Sequence, residues 1–274
     1  MSDRGDLAQR FLELHRPGSP LLLANAWDRG SAVLLASLGF EALATTSSGH
    51  AATLGRLDGS VTRDEALAHA AELAAATELP LNADLENGFA DEPEGVAQTV
   101  RLAIEAGLAG CSVEDYTGDA DTPIYGAGLA AERVAAAAEA AHSGPSSLVL
   151  TARAENYIHG RPDLDDTIAR LQAYQEAGAD ALYAPGLADL DDIRRLVESV
   201  ERPVNVLARP GAPTVAELAS VGVARVSVGG GFAFAALGAV VEASRELRED
   251  GSYGFWDVAK QGARAAHDAF GHAE

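Results

Sequence analysis

Acidic residues and one arginine close three successive apolar runs in this chain. The first ends Leu81-Asn-Ala-Asp84-Leu-Glu86, the second Cys111-Ser-Val-Glu114-Asp115 and the third Leu150-Thr-Ala-Arg153-Ala-Glu155. A polar stretch upstream, Gly55-Arg-Leu-Asp58-Gly59, adds another acid. Alternate residues of a strand share a face, so Asp84 and Glu86 can point into one space. Glu114, one strand on, would lie about 5 Å away in a parallel sheet. Carboxylates gathered this way repel each other and need protons or a cation. The single lysine, Lys260, is far along the chain. A divalent cation is then the simplest neutraliser, and ligands that are all oxygen suit Mg2+ or Mn2+ rather than Zn2+. Mg2+ keeps several waters, so one direct carboxylate with others bonded through water suffices. The same acids also suit helix N-caps, because βα loops often end in Asp.

Arg153 has the fork geometry that clamps a carboxylate through two parallel bonds. It would serve equally in a structural salt bridge to Glu155 or Glu114. Cation and arginine together describe a site for an α-keto acid, in which the cation polarises the keto oxygen and stabilises an enolate as a neighbouring bond breaks. Thr45-Thr46-Ser47-Ser48-Gly49 offers hydroxyls and backbone N–H groups to the same oxygens. Asn205, in the apolar run Val204–Leu207, is counted with the substrate-binding residues. Gly229-Gly230-Gly231 would either cradle a phosphate or allow close backbone packing. His50 is read as a hydrogen-bonded loop residue ahead of a base, His159 as part of an exposed loop, and Cys111 as inert core.

These residues need a scaffold that brings successive strand ends together. Glycines at 39, 107, 178 and 222 each follow a helical stretch and precede an apolar run. Glycine there is the left-handed cap that ends a helix, and the apolar run reads as a parallel strand buried on both faces. With the runs Leu21–Asn25, Leu81–Asp84, Leu148–Arg153 and Val204–Leu207, the pattern predicts eight strands, ending near residues 25, 46, 84, 114, 153, 184, 207 and 228. Helical stretches lie between them, among them 62–76, 94–106, 129–141, 164–177 and 190–200. Eight βα units in about 250 residues is the arithmetic of a TIM (β/α)8 barrel, whose chemistry sits at the strand C-terminal ends. A doubly wound sheet is the alternative, but no GxGxxG opens a first helix. Residues 1–274 are read as a single barrel domain, with 246–274 as a C-terminal helical extension, apolar on one side through Phe255, Trp256 and Phe270.

Composition narrows the classes further. The chain has 274 residues and a net charge of −21, from 20 basic against 41 acidic side chains, which opposes nucleic-acid and anionic-membrane partners. The longest apolar run, Phe232–Val241, falls short of the ~20 residues of a membrane span, and Met1-Ser2-Asp3-Arg4 lacks a signal-peptide pattern. One cysteine excludes an internal disulfide and Cys-based zinc clusters. One lysine argues against a Schiff-base aldolase and a P-loop. A cytoplasmic protein is expected.

The ordered set Asn25-Ala-Trp-Asp28, Gly55-Arg-Leu-Asp58, Asp84-Leu-Glu86-Asn-Gly88-Phe89, Val113-Glu114-Asp115 and Ala152-Arg153-Ala-Glu155 resembles the isocitrate lyase/phosphoenolpyruvate mutase superfamily, from about residue 15 to 245. The resemblance implies a Mg2+-binding TIM barrel acting on α-keto or α-hydroxy carboxylates, assembled as tetramers in which the last helix is exchanged between paired subunits. By position, Asp84 corresponds to the direct metal ligand, Glu86 to a second acid and Glu114 to a water-mediated ligand. Asp58 corresponds to an acid beside metal and substrate, Arg153 to the carboxylate-binding arginine, and Thr46 and Ser47 to backbone contacts with substrate. The chain departs from its lyases in the segment Tyr116–Gly128, which lacks their gate cysteine and lysine, and at Pro185, which replaces a glutamate. Tyr116 or Tyr125 would then be the proton donor. The expected activity is a Mg2+-dependent carbon–carbon lyase or decarboxylase on a small α-keto or α-hydroxy (di)carboxylate. Phosphonopyruvate-type P–C cleavage or rearrangement and non-catalytic keto-acid binding are the alternatives.

Overall fold

A computed structural model describes residues 4–143 and 147–271. Eight parallel strands close into a barrel in sequence order: β1 Leu21–Asn25, β2 Leu43–Ala44, β3 Leu81–Asp84, β4 Gly110–Glu114, β5 Val149–Arg153, β6 Ala181–Tyr183, β7 Val204–Leu207 and β8 Arg225–Ser227. The helices are α1 Arg4–Glu13, α2 Arg29–Ser37, α3 Ser47–Thr53, α4 Arg63–Ala74, α5 Pro93–Glu105, α6 Ala127–His142, α7 Leu164–Glu176, α8 Leu190–Glu198, α9 Val215–Ser220, α10 Gly231–Arg245 and α11 Trp256–Phe270. The architecture is the expected TIM barrel. Strands β3, β4, β5 and β7 end where the apolar runs predicted. Strand β2 stops at Ala44 because Thr46 turns inward to cap α3, a helix absent from the sequence reading.

Local chemistry explains the segmentation. Gly39, Gly107, Gly178 and Gly222 all have left-handed backbones, with φ of 89°, 84°, 105° and 85°, as required of the residue that ends a helix. Thr62 with Glu65, and Thr214 with Glu217, form capping boxes on α4 and α9. Asp28, Asp163 and Asp189 cap α2, α7 and α8. None of the acids singled out for chemistry is an N-cap residue of these helices; Asp84 alone meets a helix start, accepting from a neighbouring strand the N–H of Ser47, the first residue of α3.

Helix α1 closes the barrel floor. Phe11 is fully buried against Leu21, Leu23, Ala42, Ala44, Ala109 and Val149. A Cβ on Gly110 would stand 2.7 Å from the Phe11 ring, which is why β4 begins with glycine. At the other terminus, α11 returns along α2 of the same chain, so that a Cβ on Gly30 would lie 3.8 Å from Phe270 Cζ. Phe234, Val240, Trp256 and Val258 leave apolar faces of α10 and α11 exposed.

His15 joins floor to barrel. Its Nδ1–H donates to the Phe11 carbonyl at 2.8 Å, and its Nε2 accepts from Arg225 at 3.0 Å. Arginine cannot accept a hydrogen bond, so the ring is neutral. Burial, with the Arg225 charge adding to it, lowers its pKa to about 3. The unfolded chain takes up this proton near pH 6.5 and the folded chain does not, so the stability is whole above pH 6.5 and declines as pH falls toward about 3. A His15→Gln variant should lose about 2 kcal/mol less stability than the parent between pH 7 and pH 5, measured by urea unfolding.

Candidate active site

A cavity of about 160 Å3 opens at the C-terminal ends of the strands, and Ser47, Asp58, Asp84, Arg153 and Asn205 line it. Register places its charges: β4 pairs with β5 so that Glu114 faces Arg153, and with β3 so that Ser112 faces Asp84. The Arg153 guanidinium then reaches three carboxylates at once. Its Nη1 lies 2.9 Å from Asp84, Nη2 3.0 Å from Glu114 and Nε 2.7 Å from Glu155. Asp84 is held from the other side, its Oδ2 accepting from the Ser47 N–H at 3.1 Å while its own N–H donates to Thr45 Oγ1 at 2.8 Å. The tail of β2 is thereby tied to the end of β3.

Glu86 lies beside Asp84 in a small adjoining recess that also contains His50 and His69. Its backbone is left-handed, with φ of 48°, an uncommon conformation for a residue with a side chain. Burial foremost, then the charges of Asp84 and Asp58, push its carboxyl pKa up to about 7. Burial also raises Glu114 well above the carboxylate range, against the pull of Arg153. Partly buried carboxylate oxygens clustered around one arginine are a donor set that fits a hard divalent cation. Asp84, Glu86 and Glu114 are the residues that would hold it. Among the described residues no three such groups already stand in ligating geometry; Arg153 lies among the carboxylates instead.

A sequence model described as phosphoenolpyruvate phosphomutase matches residues 11–248. The chain belongs to the isocitrate lyase/phosphoenolpyruvate mutase superfamily. It is 54% identical to a crystal structure of a Burkholderia cenocepacia J2315 protein assigned provisionally as a lyase or mutase, with a TM-score of 0.89 over 92% of this chain and 91% of that one. It is 35% identical to an uncharacterized Mycobacterium tuberculosis protein over 87% of this chain and 89% of the relative. It is 30% identical to an oxaloacetate decarboxylase of Pseudomonas entomophila over 89% of this chain and 85% of the relative.

Within this superfamily barrel, the structure sorts the expected residues. Asp84, Arg153, Thr46, Ser47, Asp58 and Asn205 share the main cavity, with Asp58 at its exposed rim. Glu114 reaches the site through Arg153. Two expectations need correction, and one open alternative resolves. Tyr125 is buried, donates to Asp91 and stacks under Arg133, and burial with that bond pushes its pKa up to about 12, so it is no proton donor to the mouth. His50 lies in α3 rather than a loop, stacks on His69 with ring centres 3.7 Å apart, and keeps a buried Nδ1 without a hydrogen-bond partner. Gly229 and Gly230 serve close packing: Asn25 Oδ1 takes the N–H groups of Val228 and Gly229, and a Cβ on Gly230 would stand 2.6 Å from Ser48 Oγ. Tyr116 stacks on His159 beside the mouth, and Cys111 is core, its thiol pushed up to about 12 by burial.

Several residues that hold the site in place carried no local signal. Asp115 Oδ1 accepts from the Glu155 N–H at 2.8 Å, and its Oδ2 accepts from Tyr174 at 2.6 Å and Arg170 at 3.2 Å, fastening β4 to β5. Buried Arg133 donates to the carbonyls of Asn87, Ala90 and Asp91, which fixes the turn that presents Glu86. Only contact across the fold shows these roles. The central pairing has a direct consequence. An Arg153→Gln variant leaves three carboxylates without their cation and should lose about 3–5 kcal/mol at pH 7 in urea unfolding. The freed carboxyls then have folded pKa values above their unfolded ones, so the deficit should shrink between pH 7 and pH 5.

Proposed function

We propose that this protein is a divalent-metal-dependent lyase that breaks a carbon–carbon bond in a small 2-oxo or 2-hydroxy carboxylate, with decarboxylation of an oxaloacetate-like acid as the leading reaction. The observation that carries this reading is that Asp84 and Arg153 line one cavity mouth while Arg153 bonds Asp84 and Glu114 and Glu86 lies beside Asp84 in the adjoining recess. The oxaloacetate decarboxylase among its relatives supports the same chemistry. A bound Mg2+ or Mn2+ would draw electron density toward the substrate's keto oxygen as the adjacent bond breaks.

The chain's own residues supply the rest. Asp84, with Glu86 and Glu114, provides hard oxygen donors, and the Ser47 N–H fixes the Asp84 carboxylate. Arg153 balances the charge of these acids and is the group that meets a substrate carboxylate. Thr46 and Ser47 present backbone N–H and hydroxyl groups at the cavity wall, and Asn205 an amide below them. Asp58, at the rim, stands where protons exchange with solvent and is assigned as the acid that returns a proton to the product carbon. Nothing in this scheme needs the gate cysteine or lysine that Tyr116–Gly128 lacks. We extend the proposal to the assembly: the exposed apolar faces of α10 and α11 suit burial against a second copy in a homo-oligomer, although α11 itself packs on α2 of its own chain. Among the described residues no helix is long and apolar enough to cross a membrane.

The test is a panel of 2-oxo and 2-hydroxy acids and phosphonopyruvate with Mg2+, read by release of pyruvate, glyoxylate or phosphate. Carbon–carbon cleavage is expected, and Asp84→Ala should lower it at least a hundredfold while circular dichroism stays native. Full activity in excess chelator overturns the proposal, phosphate release moves it to P–C chemistry, and Mg2+-dependent stabilisation by oxalate without turnover of any acid reduces it to binding.

A further inference from the structure

The barrel interior beneath the acidic layer is polar and contains a second arginine. Arg225, the first residue of β8, is 2% exposed. Its Nε donates to Asn205 Oδ1 at 2.9 Å, Nη1 to His15 Nε2 at 3.0 Å, and Nη1 and Nη2 to Thr151 Oγ1 at 3.2 Å. Every one of these acceptors is neutral. The ionisable neighbours that bear on it are Arg153 and the phenol of Tyr183, and no carboxylate among the described residues forms an ion pair with it. Burial foremost lowers its pKa to about 10, with Arg153 adding to the effect and Tyr183 opposing it, so it is a cation at neutral pH. Buried charges are ordinarily paired, because an isolated one is costly.

Arg225 also lines the cavity whose mouth carries Asp84 and Arg153. The hydroxyl-bearing residues Ser112, Tyr183 and Ser227 line the same space, and the Tyr183 phenol, raised to about 12 mainly by burial, keeps its proton. Asn82, another lining residue, is 4% exposed and its Oδ1 has no hydrogen-bond partner. The level of Arg225 follows from its partner Thr151, two residues before Arg153 on β5, which separates the two layers by about 6–7 Å. Two cations therefore face this cavity, and they differ in how their charge is compensated. Arg153 is committed to three carboxylates, whereas Arg225 has none. The segment Tyr116–Gly128 contains no Lys, Arg or His, so it offers no counter-charge to a ligand's second negative group, whereas Arg225 on the cavity wall does.

We propose that Arg225, with the hydroxyls of Ser112, Tyr183 and Ser227, forms an anion subsite on the cavity floor that takes the second carboxylate of a dicarboxylate. This deepens the functional reading above and rests on its premise that a small carboxylic acid enters the mouth.

Succinate and butyrate share a four-carbon chain and differ by one carboxylate, so they isolate the subsite. Calorimetry on the full chain with Mg2+ should find succinate bound at least tenfold more tightly than butyrate. In Arg225→Gln the preference should fall to within about threefold, with butyrate affinity unchanged, and Arg225→Lys should restore part of it. Equal affinities in the parent protein overturn the proposal, as does a preference that survives in a folded Arg225→Gln. Should that variant fail to fold, Tyr183→Phe keeps the test open: a preference narrowed about threefold supports the subsite and an unchanged one overturns it. A succinate preference without turnover of any acid sinks the lyase reading and keeps the subsite; turnover without the preference does the reverse.

Discussion

One guanidinium shared by three carboxylates governs the top of this barrel. Asp84, Glu114 and Glu155 come from the ends of three neighbouring strand segments, and each bonds a different nitrogen of Arg153. Without that cation, the acids would repel across a partly buried space where screening is weak. With it, the same repulsion becomes a way of holding strand ends in register. The neighbours reinforce the arrangement: Ser47 and Thr45 fix Asp84 from one side, and Asp115 ties Glu155 to α7 from the other. The chemistry asked of the site depends on this balance. The cluster holds more acid than one arginine neutralises, and burial foremost, with the neighbouring carboxylates adding to it, raises the pKa values of Glu86 and Glu114.

The barrel interior is ordered by polarity along its axis. At the floor, Phe11 and small aliphatic side chains exclude water. In the middle lie neutral amides and hydroxyls around Arg225. At the mouth are the acids with Arg153. Such a gradient would be costly in an ordinary packed core, where polar groups must all be satisfied internally. Here the middle layer borders a cavity, and Asn82 Oδ1 within it has no hydrogen-bond partner.

Much of this was legible in the order of residues. The glycines at 39, 107, 178 and 222 marked helix ends because only glycine adopts those backbone angles without strain. The acids at 84, 86 and 114 and Arg153 stood out because charged residues rarely end apolar runs without a purpose. Other assignments failed for physical reasons. Tyr125 looked like a lid residue, but Arg133 and Asp91, distant in sequence, fold over it. His50 looked like loop because α3 is short and weakly apolar. For the glycines after β8 the residue order left an anion cradle and close packing both open; Asn25, from the far end of the chain, takes the N–H groups of Val228 and Gly229, and a Cβ on Gly230 would meet Ser48.

The sequence by itself determined the eightfold repeat, the direction in which the strand ends face and the identity of the acidic layer, since these follow from periodicity and from charges placed at fixed offsets within each unit. Only the tertiary structure decided which acids share Arg153, that Arg225 stands without a carboxylate partner, and which tyrosines and histidines face the core. Closing a barrel brings together residues such as Arg225 and His15 from opposite ends of the chain, and pairing across such distances depends on strand stagger and side-chain reach, which no local pattern encodes.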